Sequence, residues 1–392
     1  MYLIQHGFQK GTKIDDAVAA GLADGVIWSP GDETPQALAA AIGQFSGIEQ
    51  AIDPQFYVAG LAGAALKKLD RYDYFARDLQ ASDFTPRRVI DIVTDALDFQ
   101  AGLDVTVALS PTVVIDAAGD RWAQVALSLA QASIDEWSTR GDPRDLFVCV
   151  AASRSLLANE EEVSALLDDL TTLDCSGFYL LFELESSTGA RYDELLDRAL
   201  WMTYSLSELN EFRVWVPYAG LLGYPFRVAG AEAFGAGWWQ KLQAWSPGHW
   251  TDTGGGGRAP RPRVFLETLL SNVLLEELGA IRSADRALYD EIVAGVGPLA
   301  QVLRASRPQN VSPGRDELAA QLFAVCAELD SRVLGALSAR GERLADDLAD
   351  ALQLHRRVRR SGITLEPRGN NAHLIEWESA LTRFAARTGE VF

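Results

Sequence analysis

The chain has 392 residues, of which 48% are apolar, enough for one large domain and a smaller second unit. Its formal net charge of −19 disfavours general nucleic-acid binding, because neutralising a phosphate backbone requires clustered Lys and Arg. The same negative charge disfavours adsorption to an anionic membrane surface.

Sequence features that report on location favour the cytoplasm. The cysteines Cys149, Cys175 and Cys326 are too few and too widely spaced to predict a disulfide framework or a zinc ribbon. The first ten residues lack the basic and long apolar regions of a signal peptide. No apolar run reaches the roughly 18 residues of a membrane-spanning helix, so we expect a cytoplasmic protein with no membrane contact.

Eight short apolar segments alternate with helical patterns along the first part of the chain. The predicted strands cover residues 2–6, 25–29, 48–53, 104–109, 146–151, 178–187, 212–218 and 226–230. Strands that alternate with helices predict βαβ units and a parallel sheet. Eight of them favour a closed (β/α)8 barrel of the TIM type, which typically takes about 250 residues. The link at residues 219–225 is too short for a full helix, so either one helix is missing or the strand count is off by one.

The composition changes after the predicted barrel. A helix at residues 234–245 is expected to pack on the barrel, and the Gly, Pro and Arg content of the next segment is typical of a flexible linker. Helical patterns then cover residues 264–281, 283–306, 315–359, with a break near Gly335 or Gly341, and 372–387. We therefore predict a barrel at residues 1–246, a linker at 247–263 and a helical domain at 264–392.

Two acidic residues end the sixth predicted strand. Glu183 and Glu185 project from the same side of it, because side chains alternate with a period of two. Placing carboxylates at the end of a buried strand costs free energy, so a function is expected. Paired carboxylates supply the proton donor and the nucleophile of glycosyl transfer. The alternative is an ion pair of either acid with Arg154 or Arg191 at the barrel rim.

Ligands of this fold bind at the carboxyl ends of the strands, and several polar residues are predicted there. The catalytic candidates are Glu183, Glu185, Asp53 and His6, and the ligand-binding candidates are Gln55, Tyr57, Arg154, Tyr218 and Glu232. Such a ring suits a small polar ligand such as a sugar, a nucleoside or a nucleotide. The alternative is that these are ordinary polar loops and that His6 is a buried histidine with satisfied hydrogen bonds.

No metal or other cofactor is predicted. The remaining histidines, His249, His355 and His373, fall outside the predicted barrel, and no HxH or HExxH motif occurs. Glycines at residues 220–223 and 230–237 border the last two predicted strands, where barrels often bind phosphate on backbone N–H groups.

Two functions remain open, because a barrel pattern hosts unrelated chemistries. The first is a TIM-barrel hydrolase or glycosyl-transfer enzyme that acts on a glycosidic or nucleoside-type bond through its carboxylates. The second is a non-catalytic barrel that serves as a binding subunit, with a protein partner or a second copy docking on the helical domain. The basic run at residues 355–360 is either a docking site or a helix end that complements its own dipole.

Overall fold

The computed structural model describes residues 1–184, 193–251 and 261–390. The strands in these ranges are β1 (Tyr2–Gln5), β2 (Gly25–Trp28), β3 (Glu49–Ile52), β4 (Val107–Leu109), β5 (Val114–Ile115), β6 (Asp145–Ala152), β7 (Gly177–Phe182), β8 (Arg213–Val216), β9 (Ala233–Ala236), β10 (Arg263–Leu266) and β11 (Ser271–Leu274). The helices are α1 (Lys13–Ala19), α2 (Pro35–Ile42), α3 (Pro86–Ala101), α4 (Arg121–Arg140), α5 (Arg154–Leu157), α6 (Glu160–Leu170), α7 (Asp193–Tyr204), α8 (Gly223–Val228), α9 (Gly248–Thr251), α10 (Leu275–Ala284), α11 (Arg286–Ile292), α12 (Pro298–Ala305), α13 (Arg315–Ser331), α14 (Leu337–Arg360) and α15 (Ala372–Thr388).

The first nine strands form one parallel sheet in the order β3-β2-β1-β9-β8-β7-β6-β4. β4 pairs with the start of β6 and β5 pairs with its end, so β4 and β5 together occupy one position in the sheet. Pro111 lies between them, where its missing N–H interrupts the ladder. Eight strand positions with alternating helices make a nearly closed barrel, and the predicted TIM-like architecture is confirmed.

The barrel approaches closure between β3 and the residues before β4. The backbone N–H of Thr106 donates to the carbonyl oxygen of Gln50 at 2.8 Å. The N–H of Gln50 in turn donates to the Thr106 hydroxyl at 2.9 Å. A side-chain hydroxyl thus satisfies a backbone group that a regular strand pair would have bonded.

The alternation of side chains decides which residues fill the barrel and which face the helices. The interior contains Leu3, Ile27, Ala51, Val107, Leu109, Phe147, Cys149, Ala151, Tyr179, Leu181, Trp215 and Ala233. Their neighbours in sequence, such as Ile4, Trp28 and Ile52, belong to the larger core between the strands and the helices. Both faces of each strand are therefore apolar, as expected of a parallel sheet.

The prediction for the eighth strand was wrong. Residues 226–230 lie mostly in the short helix α8, and the eighth strand position is taken by β9, inside the segment where a helix at 234–245 was predicted. The sequence of β9, Ala-Phe-Gly-Ala, has little intrinsic preference for a strand. Gly235 is favoured there, because a Cβ atom would lie 2.9 Å from the end of the Ile27 side chain and 3.2 Å from both the Gln5 side chain and the Pro217 backbone.

The C-terminal region is helical as predicted, but it begins with an antiparallel hairpin. β10 and β11 occupy part of the predicted helix at 264–281, where Val264, Leu266 and Val273 are buried in a local core. The predicted helix at 283–306 is divided into α11 and α12. The predicted break between 315 and 359 falls at Gly335, which has a φ of +89°. No helix in the described ranges is long and apolar enough to cross a membrane.

The C-terminal helices pack directly on the barrel. α15 lies along α7, with Phe384 in edge contact with Tyr204 at 5.6 Å between ring centroids. α13 contacts β1 and α8, and Phe323 lies 6.3 Å from the ring of Tyr2. One apolar core therefore extends from the strands into α13, α14 and α15. The predicted domain boundaries stay a prediction, and most of the linker, residues 252–260, lies outside the described residues.

The basic run forms the end of α14. His355 and Val358 are buried in the core of the C-terminal region, and Arg357 pairs with Glu291 at 2.6 Å. Arg359 and Arg360 lie in the last turn, where cations complement the helix dipole.

Candidate functional site

The carboxyl ends of the barrel strands form a mouth in which buried polar side chains surround Asp53. Asp53 follows β3 with the same parity as Ala51, so its side chain enters the barrel, and it is 1% exposed. The hydroxyls of Tyr57 and Tyr218 donate to its Oδ2 atom at 3.1 and 3.2 Å. The backbone N–H of Gln55 donates to its Oδ1 atom at 3.0 Å.

Burial raises the pKa of Asp53 to about 6, although its three hydrogen bonds act in the opposite direction. No basic side chain in the described residues forms an ion pair with this carboxyl group, so its charge is offset only by neutral donors. A carboxyl group with a pKa near neutrality can both donate and accept a proton, which suits a general acid or base.

Gln55 connects Asp53 to a second acid. Its Nε2 atom donates to the hydroxyls of Ser29 and Tyr218 at 2.9 and 3.3 Å, and its Oε1 atom accepts from the N–H of Gly31 at 2.8 Å. The Ser29 hydroxyl donates to Asp32 at 3.0 Å. With Tyr57, six polar side chains from three strand ends thus form one continuous network.

Two members of this network have left-handed backbone conformations. Gln55 has a φ of +54° and Tyr218 a φ of +52°. Residues other than glycine adopt this region at a cost of roughly 1–3 kcal/mol, and such residues concentrate at functional sites. The turn at Tyr218 also explains why its side chain reaches the mouth, although Val216, two residues earlier, faces the helices.

Residues 237–251, here called the cover segment, fold over the mouth after β9. Trp245 and Trp250 pack edge-on against Tyr57, at 5.5 and 6.3 Å between ring centroids. The carbonyl oxygen of Trp250 accepts from the N–H of Ala65 at 2.6 Å. The space left beneath the segment is a cavity of about 20 Å³, room for about one water molecule. A ligand therefore requires the cover segment to move.

Lysine side chains gather at the rim of this cavity. Lys67 pairs with Asp32 at 3.1 Å and lies 4.5 Å from the ring centroid of Trp250. Lys68 pairs with Glu33 at 3.2 Å. Lys241, in the cover segment, also lines the cavity.

Several buried polar atoms of the mouth lack a hydrogen-bond partner among the described residues. They are the side-chain amide of Gln5, the hydroxyl of Tyr179 and the indole N–H of Trp245. Tyr179 is close enough to Asp53 to contribute to its pKa, yet its hydroxyl meets hydrogen-bond geometry with no described atom. Unpaired buried groups are uncommon in folded proteins, so these atoms of the mouth are places where water or a ligand can bond.

Glu183 lies at the rim, on the side of β7 that Tyr179 shares. Its Oε2 atom accepts from the backbone N–H of Arg154 at 3.1 Å, and its Oε1 atom accepts from the Ser246 hydroxyl at 2.9 Å. The guanidinium of Arg154 donates to the carbonyl oxygen of Leu184 at 3.1 Å. Glu185, which was predicted to be catalytic together with Glu183, lies outside the described residues. So does Arg191, one of the two predicted ion-pair partners of these acids.

The structure places two predicted site residues elsewhere. His6 has the parity of Ile4 and packs between the strands and the helices, 5.2 Å from the ring of Trp28, where burial lowers its pKa to about 4. Glu232 immediately precedes β9, so it lies at the amino end of the barrel, where its carboxylate accepts from Arg213 at 2.8 Å and from the indole of Trp215 at 3.0 Å. The prediction that Glu232 lies at the mouth was therefore wrong, whereas the predicted catalytic role of His6, whose Nδ1 atom accepts from the N–H of Ser29 at 3.3 Å, stays a prediction.

The residues of the mouth that the sequence analysis missed include Gln5, Lys67, Tyr179, Lys241 and Trp245. The alternation that places Glu183 inward also places Tyr179 inward, so that signal was available. The distribution of the lysines along the sequence is a second signal for the position of the mouth. Only five of the 35 basic residues are lysines, and all five, at positions 10, 13, 67, 68 and 241, follow strands at the carboxyl end of the barrel.

No protein-family model matches the chain, and no curated protein matches it. Within the described ranges, no group of three or more His, Cys, Asp or Glu side chains is arranged to hold a metal ion. The site must therefore be interpreted from its own geometry.

Proposed function

We propose that this protein is a cytoplasmic barrel enzyme that acts on a glycosidic or nucleoside-type bond of a small polar ligand, with Asp53 as its proton-transferring carboxyl group. The observation that carries the proposal is the position of Asp53, which is buried at the centre of the barrel mouth and bonded only to neutral donors, so that burial raises its pKa to about 6. Cleavage of such a bond needs an acid that protonates the leaving group, and a carboxyl that titrates near neutrality does this efficiently.

Glu183 is the second carboxylate of the proposed mechanism. It leaves β7 toward the same mouth, and its two oxygens are held by donors that come from α5 and from the cover segment. When the cover segment moves, the Ser246 hydroxyl leaves Oε1 free to act on the anomeric carbon or on a water molecule. Tyr57, Tyr218 and Gln55 keep Asp53 in place through their hydrogen bonds.

A panel of aryl glycosides and nucleosides tests the proposal, with release of the aryl alcohol or the base as the readout. We expect Asp53→Asn and Glu183→Gln each to lower turnover at least about 100-fold, because both amides keep the shape of the side chain and lose its acid–base chemistry. Arg87→Gln is the control, since Arg87 is 84% exposed on α3, pairs with Asp91 and does not line the cavity. Turnover that survives in both carboxyl variants would sink the assignment.

The second candidate function is a binding barrel without catalysis. The observation that favours it is the covered mouth, where Trp245 and Trp250 leave only the small cavity. A ligand that raises the melting temperature of the wild-type protein and of Asp53→Asn equally, with no product formed by either, supports this function over the first.

A further inference from the structure

The side chains of Lys67, Lys68 and Lys241 lie at the rim of the mouth in a strongly acidic chain. Asp53 and Glu183 bond to neutral donors there, and the acids that form ion pairs with the lysines are Asp32 and Glu33. Lys67 and Lys68 are paired with these acids, whereas no described carboxylate pairs with Lys241. One ammonium group is therefore left beside the cavity without a counter-ion.

Lys241 is held close to other cationic groups. Its side chain is exposed at the rim, yet the surrounding protein lowers its pKa, first by desolvation and then through repulsion from Lys67. His249 lines the same cavity, and burial, followed by the charge of Lys241, lowers the pKa of its imidazole. An anion placed among these groups would relieve the repulsion between them.

A buried donor at the same cavity also lacks an acceptor. Trp245 is 3% exposed, and its indole N–H has no hydrogen-bond partner among the described residues. An indole nitrogen can only donate, so an oxygen atom must supply the missing bond. Ser29 and Ser246 line the cavity as well, but their hydroxyls already donate to Asp32 and Glu183.

We propose that the cover segment, once it has moved to admit the ligand, forms an anion subsite over this cavity, in which Lys241, Lys67 and the indole of Trp245 bind a phosphoryl or carboxylate oxyanion carried by the ligand. Lysine suits this role because its compact ammonium group acts as a point charge toward oxyanions. The inference rests on the proposed function for the rest of the ligand, and it narrows the substrate class to an anionic sugar or a nucleotide. Binding of the anion would tie the cover segment to the loop that follows β3.

Calorimetric titration with three anionic probes tests the subsite. The probes are inorganic phosphate, ribose 5-phosphate and glucuronate, and the neutral counterparts of the last two are ribose and glucose. We expect the anionic probes to bind the wild-type protein more tightly than their neutral counterparts, with an affinity that falls as salt rises. Lys241→Gln should weaken binding of the anionic probes about ten- to hundredfold, the usual effect of losing a charged hydrogen bond, and leave the neutral probes unchanged. Comparison of ribose 5-phosphate with glucuronate shows which oxyanion the site accepts.

Two further variants separate the subsite from general electrostatics. Lys10→Gln removes an ammonium group at the same end of the barrel, but Lys10 pairs with Asp15 at 2.9 Å and does not line the cavity, so binding should not change. Trp245→Phe keeps an aromatic ring and removes the indole N–H, so it should weaken anionic probes only. The inference is overturned if no anionic probe binds, if anionic and neutral probes bind equally, or if Lys10→Gln and Lys241→Gln behave alike.

The same experiments keep this inference apart from the proposed function. If ribose 5-phosphate binds and Lys241→Gln weakens its binding, but no substrate shows turnover that depends on Asp53, the anion subsite is supported and the proposed enzyme activity is contradicted. Asp53-dependent turnover of neutral glycosides, with no preference for anionic ones, upholds the enzyme and contradicts the subsite.

Discussion

The two ends of the barrel differ in how their charged side chains are paired. At the amino end, the guanidinium of Arg213 contacts the carboxylates of Asp145 and Glu232 and lies 5.1 Å from the ring centroid of Phe147. The indole of Trp215 also donates to Glu232, so each of these polar side chains has a partner. This end carries interactions that stabilise the closed barrel.

The carboxyl end is less complete. Asp53 is buried without a basic partner among the described residues, Lys241 has no described counter-ion, and Gln55 and Tyr218 have strained backbones. Natural proteins depart from local rules mainly at functional sites. The amino end therefore holds paired groups that stabilise the barrel, whereas the carboxyl end, where ligands of this fold generally bind, holds groups without described partners.

The largest expected difference between the two ends is in how the free energy of unfolding depends on pH, and it comes from Asp53. Because its pKa is about 6 in the folded protein and 3.8 ordinarily, Asp53 stabilises the folded state below about pH 4, and this contribution is lost as the pH rises through 6. The free energy of unfolding of wild type relative to Asp53→Asn should fall by about 3 kcal/mol over that window. Urea unfolding at pH values between 4 and 7 measures it.

The comparison with Asp53→Asn removes an opposing contribution. His6 and His355 have pKa values lowered to about 4, so they lose stabilisation as the pH falls from about 6.5 through 4, in both proteins alike. Parallel stability curves for wild type and Asp53→Asn would show that Asp53 has an ordinary pKa and would remove the main difference between the two ends.

A smaller effect is expected at the amino end. Arg213→Ala should lower the free energy of unfolding by about 1–2 kcal/mol, because it leaves two carboxylates without their cation and removes the contact with Phe147. Turnover should not change. Arg87→Ala, which breaks an exposed pair with Asp91, is the control and should cost less than about 0.5 kcal/mol. Loss of turnover in Arg213→Ala would contradict the division of roles.

The smallest expected effect concerns a single hydrogen bond in the mouth. Tyr218→Phe removes one hydrogen bond to Asp53, at a cost of about 1 kcal/mol in the free energy of unfolding. Since that bond favours the carboxylate, its loss should raise the pKa of Asp53 further. Carbon-detected titration of the Asp53 carboxyl by NMR measures the midpoint directly. A midpoint that stays in place or falls would contradict the assigned hydrogen bond.

The barrel could be predicted from the sequence because most of its eight strands, such as β2, β6 and β8, are apolar runs rich in β-branched and aromatic residues. The eighth could not, since the alternation in Phe226-Arg227-Val228 imitates a strand while β9 consists of small residues and one phenylalanine. The helix break at Gly335 was predictable from a single glycine. The hairpin of β10 and β11 was not, because short apolar runs do not distinguish strand from helix.

The site was predictable in part for a related reason. Asp53, Gln55, Tyr57 and Tyr218 were identified from their positions at strand ends, and the structure brings them together. The sequence could not predict whether the His6 side chain enters the barrel or faces the helices. Both faces of a parallel strand are apolar, so the alternation of side chains alone does not identify the interior face. Trp245 comes from a long connection whose path no periodicity reveals.

The packing of α13 and α15 against the barrel has a consequence for synthesis on the ribosome. The last barrel strand ends at Ala236, but the outer layer beside β1 and α7 is completed only by side chains such as Phe323 and Phe384. A nascent chain of about 280 residues therefore holds every barrel strand while part of its apolar surface still faces water. Such intermediates aggregate readily, so we expect translation of this region to depend on chaperones that shield exposed apolar surface.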